Sequence, residues 1–176
     1  LLGKEEYTKI WLDHNLYADF KYIIIDGSKT RMNENFVKDK IKKSKFNIKY
    51  IKYENEKNVS DWVKKMATAA SKSDTKYTMT VDNDDFINVI GIKKCIEKLE
   101  KSNFQIASGN VHYVSEFNNK YKLLKNTMKF SAYKNVQNIN SIKNYLNHNK
   151  FGNGYVWYSI YKTNIFYKVW EHIHKS

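Results

Sequence analysis

Apolar residues recur along this chain in short runs whose period switches repeatedly between about 3.6 and two. The spacing predicts a helix over residues 4–17, with Tyr7, Ile10 and Trp11 on one side. A short apolar strand over 21–25 ends at Asp26-Gly27-Ser28. A helix over 33–43 follows, with Phe36, Val37 and Ile41 inward, and then a strand over 47–53 that alternates with period two. Val59, Val63, Met66 and Ala70 mark a helix over 59–71, for which Ser60 is the candidate N-cap. A strand over 77–81 comes next. Ile92, Cys95, Ile96 and Leu99 form a further helical stripe that assigns Cys95 to packing. Residues 104–108 and 110–115 read as strands, 141–147 as a helix, and 155–161 as an alternating strand, with a last helix beginning near Ile165. Strands alternating with helices predict an α/β layer fold with a largely parallel sheet flanked by helices. In such sheets ligands bind beyond the carboxyl ends of the strands.

Composition sharpens this picture in three ways. The chain of 176 residues has no proline and six glycines, so its turns must come from Asn, Asp, Ser and Lys clusters. A hydrophobic fraction of 41% in a chain of this length predicts one domain with a single core. The formal net charge is +13, which attracts phosphate and anionic surfaces. Yet Arg31 is the only arginine, and the excess of Lys, Asn, Ile and Tyr matches AT-rich codon usage. A sequence-specific nucleic-acid binder relies on the bidentate arginine fork, so the charge is read first as drift and no specific nucleic-acid partner is expected. Cys95 stands alone, which fits a reducing compartment. No apolar run approaches the ~20 residues of a membrane span, and no signal pattern is visible, so a cytoplasmic protein is expected. The chain opens on Leu1, not Met, as a piece of a longer polypeptide would.

The strongest chemical signal is Asp82-Asn83-Asp84-Asp85-Phe86, directly after the strand over 77–81. Carboxylates this close repel one another unless a cation or hydrogen bonds hold them. At a strand end they point to a hard divalent ion that shares its coordination with phosphate oxygens and water. The plainer reading is an acidic turn that caps the next helix. In an extended segment Asp82 and Asp84 share a side and Asp85 points elsewhere, free to cap or orient. A calcium loop of the EF-hand type is excluded, because Ile87 and Lys93 stand where Gly and Glu are needed. Phe86 and Ile87 likewise fit poorly to the phosphatase pattern with an Asp nucleophile.

Two segments together resemble family 2 glycosyltransferases. Ile23-Ile24-Ile25-Asp26-Gly27-Ser28 is similar to the family's "vvDdGS" strand end, and Thr80 to Phe86 is similar to its "flDsDD" segment, the DXD motif. A helix, a strand and a helix separate the two, as in the family. Residues 155–166 resemble a strand of a bacterial subgroup more loosely, and the likeness is good over about 1–115. The resemblance implies a GT-A (Rossmann-like) three-layer fold and transfer of a sugar from a nucleoside-diphosphate donor, a UDP- or GDP-sugar, to a hydroxyl of a glycan or lipid-linked acceptor. It implies that Asp26, Gly27, Ser28, Asp82 and Asn83 bind the nucleotide sugar. Asp84, with Asp82, would hold Mn2+ or Mg2+, and Asp85 is the next acid of the family pattern, its role open and orientation of the others a candidate. Residues 1–115 would form the nucleotide-binding part and 116–176 the acceptor side. Surface polysaccharide assembly is the usual setting of the family, and peripheral contact with an anionic membrane would suit the basic surface.

The likeness departs from the family at two places. The leading strand ahead of residue 4 is missing. Between Glu116 and Glu171 there is no Asp or Glu, so the carboxylate base expected near the acceptor is not located: either it lies beyond Ser176 or this stretch does not catalyse alone. Two other functions share parts of the pattern. A sugar-phosphate nucleotidyltransferase has the same layout and an acidic metal site, with a Gly-rich loop near its first strand. A basic nucleic-acid-binding module would bind with steep salt dependence. His172 and His174 do not share a helix face, which argues against a zinc pair. His14, His112 and His148 are isolated. Trp62 and Trp157 are read as core before stacking platforms, and Gly152-Asn153-Gly154 lacks the residues of a phosphate loop.

Overall fold

The computed structural model describes residues 5–54, 56–109, 111–117, 120–128 and 158–175. The chain divides into two compact units, Leu1–Val89 with Tyr161–Ser176, and Ile90–Ile160. The first is thus discontinuous in sequence, and the second is an excursion between its parts.

In the first unit, α1 (Glu5–His14) leads into β1 (Lys21–Asp26), α2 (Met32–Lys43), β2 (Asn47–Lys52), α3 (Val59–Ser71) and β3 (Tyr77–Thr78). The buried face of α1 is Thr8 and Leu12, continued by Asn15 just past its end, with Trp11 half-buried, a spacing of three and four residues. Tyr7, expected inward, is exposed. The reason is polar: Thr8 and Asn15 both find hydrogen-bond partners inside, so the inward stripe is offset from the apolar one. Val37 fixes the inward face of α2. The N-cap of α3 is Asn58, whose side chain accepts from the Asp61 N–H at 3.0 Å, and Ser60 already lies inside the helix. Val59 is 76% exposed and leaves the stripe that Val63, Met66 and Ala70 continue.

β1 and β2 pair in parallel without a slip, Lys21 opposite Asn47 through Asp26 opposite Lys52. The unit closes with the end of β7 (Ser159–Lys162) and α5 (Thr163–Lys175). Tyr77 pairs with Lys162 and Thr78 with Tyr161, antiparallel. The Thr163 N–H donates to the Lys76 carbonyl at 3.1 Å, and the hydroxyls of Thr78 and Thr163 meet at 2.8 Å. An aromatic core joins α3 to α5, with Trp62 edge-on to the buried Trp170 at 5.6 Å and Phe166 bridging Trp170 and Tyr161. Trp62 is half-buried and packs edge-on against that core, the packing reading of its sequence context.

The second unit holds most of α4 (Val89–Glu100), β4 (Ile106–Ser108), the start of β7, and a hairpin of β5 (Val111–Phe117) and β6 (Lys120–Met128). Leu99 is its most buried α4 residue, while Cys95 is half-buried, with its thiol pushed up by that burial. The Ser108 and Ser159 hydroxyls meet at 2.5 Å. The β5–β6 register shifts between His112 and Val114. β6 lies where no strand was expected.

The architecture is mixed α/β, as the alternation of periods predicts. The largely parallel sheet is met only in part. Among the described residues the strands form small sheets, of which β1–β2 is parallel while β3–β7 and β5–β6 are antiparallel. Two residues separate β5 from β6, which forces that pair antiparallel. β7 reaches β3 from the far end of the chain and arrives in the opposite sense. The expected helix over 141–147, residues 155–157 with Trp157, His148 and Gly152 to Gly154 lie outside the described residues. No described helix is long and apolar enough to cross a membrane.

Candidate active site

β3 ends at Thr78, earlier than the expected 77–81, and the chain then folds into a turn. The Asp85 N–H donates to the Asp82 carbonyl at 3.3 Å. That turn, not an extended segment, gathers the acids. Carboxylate oxygens of Asp82, Asp84 and Asp85 lie within 4.8 Å of one another, Asp82 and Asp84 exposed and Asp85 half-buried. Asp85, expected to point away, therefore joins the group. The donor set is oxygen alone and triply anionic when ionised, which suits a hard divalent ion such as Mn2+ or Mg2+.

The turn is gripped from α1. Asn83 Nδ2 donates to Thr8 Oγ1 at 3.1 Å, so this side chain faces the helix. Asn15 Nδ2 donates to the Asp85 carbonyl at 2.8 Å, and Asn15 Oδ1 accepts from the Ile87 N–H at 2.7 Å. The Phe86 ring meets His14 edge-on at 6.0 Å.

Asp26 stands outside the acid group, in a network of its own. The β1–β2 register sets it opposite Lys52 and fully buried. One of its oxygens accepts from the Ser28 N–H at 2.8 Å, the other from the Tyr50 hydroxyl at 2.7 Å, with Lys52 Nζ at 3.4 Å. Burial opposes its ionisation most strongly, but the Tyr50 and Ser28 hydrogen bonds and the Lys52 charge outweigh it. The carboxyl is held below its usual range. The Tyr50 phenol is pushed up, by burial first and by Asp26 second. Lys52 also donates to the Ser28 and Thr30 carbonyls and to Ser28 Oγ, fastening the loop after β1.

Gly27 is adjacent to a second buried charge pair. Lys65, on α3, meets Glu56 at 2.5 Å, with side-chain exposures of 3% and 11%. A Cβ at Gly27 would overlap the Glu56 carboxylate and come within 3.1 Å of Glu56 Cβ. Gly27→Ala is expected to push Glu56 off Lys65 and to destabilise the protein by about 3 kcal/mol, the scale of breaking a buried ion pair. In a Glu56→Ala/Lys65→Met background the same alanine should cost less than half as much, because the pair is already gone. Urea titrations of the four proteins measure this, and equal costs in both backgrounds would refute the link.

The family model described as Glycosyl transferase family 2 matches residues 10–170. That span takes in β1, the acid turn and most of α5. The chain belongs to glycosyl transferase family 2. It is a glycosyltransferase, for which the family implies a nucleotide-sugar donor and an acceptor, and its acid turn resembles the DXD motif. Comparisons with curated proteins and with solved structures gave no match.

In this glycosyltransferase the sequence pointed to Asp26, Gly27, Ser28 and residues 82–85, and the structure sets them at the ends of β1 and β3. It missed Thr8, Asn15, Tyr50, Lys52, Glu56 and Lys65. The period-two pattern of β2 carried a usable signal for two of these. Ile48, Tyr50 and Lys52 share one face, and a parallel partner ending in Asp26 demands a cation there. Thr8 and Asn15 gave no such signal, since polar residues on a helix read as its solvent side.

Proposed function

We propose that this domain is of GT-A type, a three-layer fold. It moves a sugar from a nucleoside-diphosphate sugar, UDP- or GDP-linked, to an acceptor hydroxyl on a glycan or lipid-linked chain. The observation that carries the reading is the convergence of three carboxylates on one turn past a strand end. Asp84 and Asp82 would hold Mn2+ or Mg2+, which when bound neutralises charge on the leaving diphosphate. Asp85, anchored through its own carbonyl, orients the other two. The ends of β1 and β2 form the nucleotide side, where Asp26 and Ser28 take the base or ribose. A donor that reaches Asp26 exchanges places with Lys52 or Tyr50, whose hydrogen bonds already fill that carboxylate.

The span 1–176 works as one transferase domain in this reading, with the donor side over about 1–115. Its place is the cytoplasmic face of a membrane that carries the acceptor, with the net charge of +13 drawing it to anionic lipid. Residues 117–170 hold no Asp or Glu, so no acceptor base is assigned within that stretch.

Calorimetric titration with UDP and with GDP, in Mn2+ and in EDTA, tests the proposal. One of the two nucleotides is expected to bind at least tenfold more tightly with the metal, on the scale of one charge-stabilised contact. Equal affinity in EDTA would overturn the metal role.

A further inference from the structure

The acid turn hangs on one buried amide. Asn15 is 1% exposed and sits one residue past the end of α1. Its two side-chain atoms are both spent on the turn, one on the Asp85 carbonyl and one on the Ile87 N–H, so that the amide spans Phe86. Its own backbone is fixed at both ends. The Asn15 N–H donates to the Trp11 carbonyl at 2.8 Å, and the Asn15 carbonyl accepts from the Tyr22 hydroxyl of β1 at 2.9 Å. Seven residues earlier, on the same face of α1, Thr8 is 2% exposed and accepts from Asn83. Two turns of helix thus present two buried polar groups to residues 83, 85 and 87, which alternate with the carboxylates at 82 and 84.

This pattern has a physical logic. Three carboxylates on one short turn spread apart when nothing restrains the backbone. The grip on both sides of Phe86 prevents that and costs no buried unpartnered group at Asn15, since both amide ends are satisfied. An apolar residue at position 15 would leave the Asp85 carbonyl and the Ile87 N–H without these partners.

We propose that Asn15 is a positioning residue for the metal-diphosphate site, with Thr8 as its auxiliary: α1 sets the spacing of the acids. The inference rests on the reading of the acid turn as a divalent-cation site. Groups that orient metal ligands from behind typically change metal affinity ~10- to 100-fold when removed.

The experiment is Mn2+ binding, read from the loss of the free-ion paramagnetic resonance signal, with melting temperature measured in parallel. Asn15→Ala is expected to weaken Mn2+ about tenfold or more, and the isosteric Thr8→Val roughly threefold. Val37→Ala, in the core of α2, serves as the stability control and should lower the melting temperature while leaving Mn2+ affinity unchanged. If Asn15→Ala does not fold, Thr8→Val alone decides. Wild-type Mn2+ affinity in both position-8 and position-15 variants would overturn the inference and leave the metal reading intact. A wild-type protein that binds no Mn2+, or an Asp84→Ala variant that binds it as well as wild type, would overturn the metal reading and this inference with it. A loss of affinity in Val37→Ala equal to that in Asn15→Ala would reduce Asn15 to a folding role.

Discussion

Asp84→Ala is expected to lower sugar transfer roughly 10^2- to 10^3-fold while leaving the fold intact. The residue is exposed and belongs to the group of three carboxylates within 4.8 Å. Surface substitutions of this kind move stability by only about 0.5 kcal/mol. Removing one of three mutually repelling acids should, if anything, relax the turn. The loss therefore falls on the step in which charge builds on the departing diphosphate. Asp84→Asn should do nearly the same harm, since it keeps the shape and loses the charge. Release of the nucleoside diphosphate under saturating donor, acceptor and Mn2+ measures the rate. A variant that keeps more than about a tenth of the wild-type rate would remove Asp84 from the site.

Asp26→Ala should lower stability as much as Gly27→Ala does. It leaves the Ser28 N–H, the Tyr50 hydroxyl and the Lys52 ammonium without the fully buried carboxylate that is their shared acceptor. Each orphaned donor costs about 1–3 kcal/mol, and partial relaxation brings the sum to roughly 3 kcal/mol. For a chain of this size that is about 10 °C in melting temperature. The pH dependence follows with a definite sign. The folded carboxyl titrates below its unfolded value, so its contribution is fully present above the unfolded value of about 3.9. It is lost as pH falls through the folded value, lower still. Wild-type stability should decline on acidification toward pH 3, and the alanine variant should show a shallower decline. Parallel slopes for the two proteins would show that Asp26 is not the group responsible.

The sequence was legible wherever the physics was local. Period two and period 3.6 located β1, β2, α2 and α3, because one face of each meets the core. The grouping of Asp82, Asp84 and Asp85 was legible because they lie within four consecutive residues after a strand. Two kinds of information were missing. Strand sense and partner were one: nothing in Tyr77 or Lys162 states that they pair, and the contact spans about half the chain. The other was the polar interior. Thr8 and Asn15 are polar residues within the helix expected over 4–17, where such residues read as a solvent face, and their burial makes sense only once the loop they hold is known. The offset of α1's inward stripe from Tyr7 to Thr8 and Leu12 is the visible result. Lys65 was hidden for the same reason, because a buried lysine needs a partner, and Glu56 sits nine residues away in a different kind of segment.

Tyr161 and Lys162 return to pair beside Tyr77 and Thr78, so the chain between the two strands, residues 90–160 included, is a parenthesis closed by one strand pair. Closing a longer parenthesis is thermodynamically mild, since each doubling of its length adds only about 0.6 kcal/mol. An enzyme wired this way can lengthen, shorten or exchange that stretch as it diversifies, while the strands on either side of it stay stitched together.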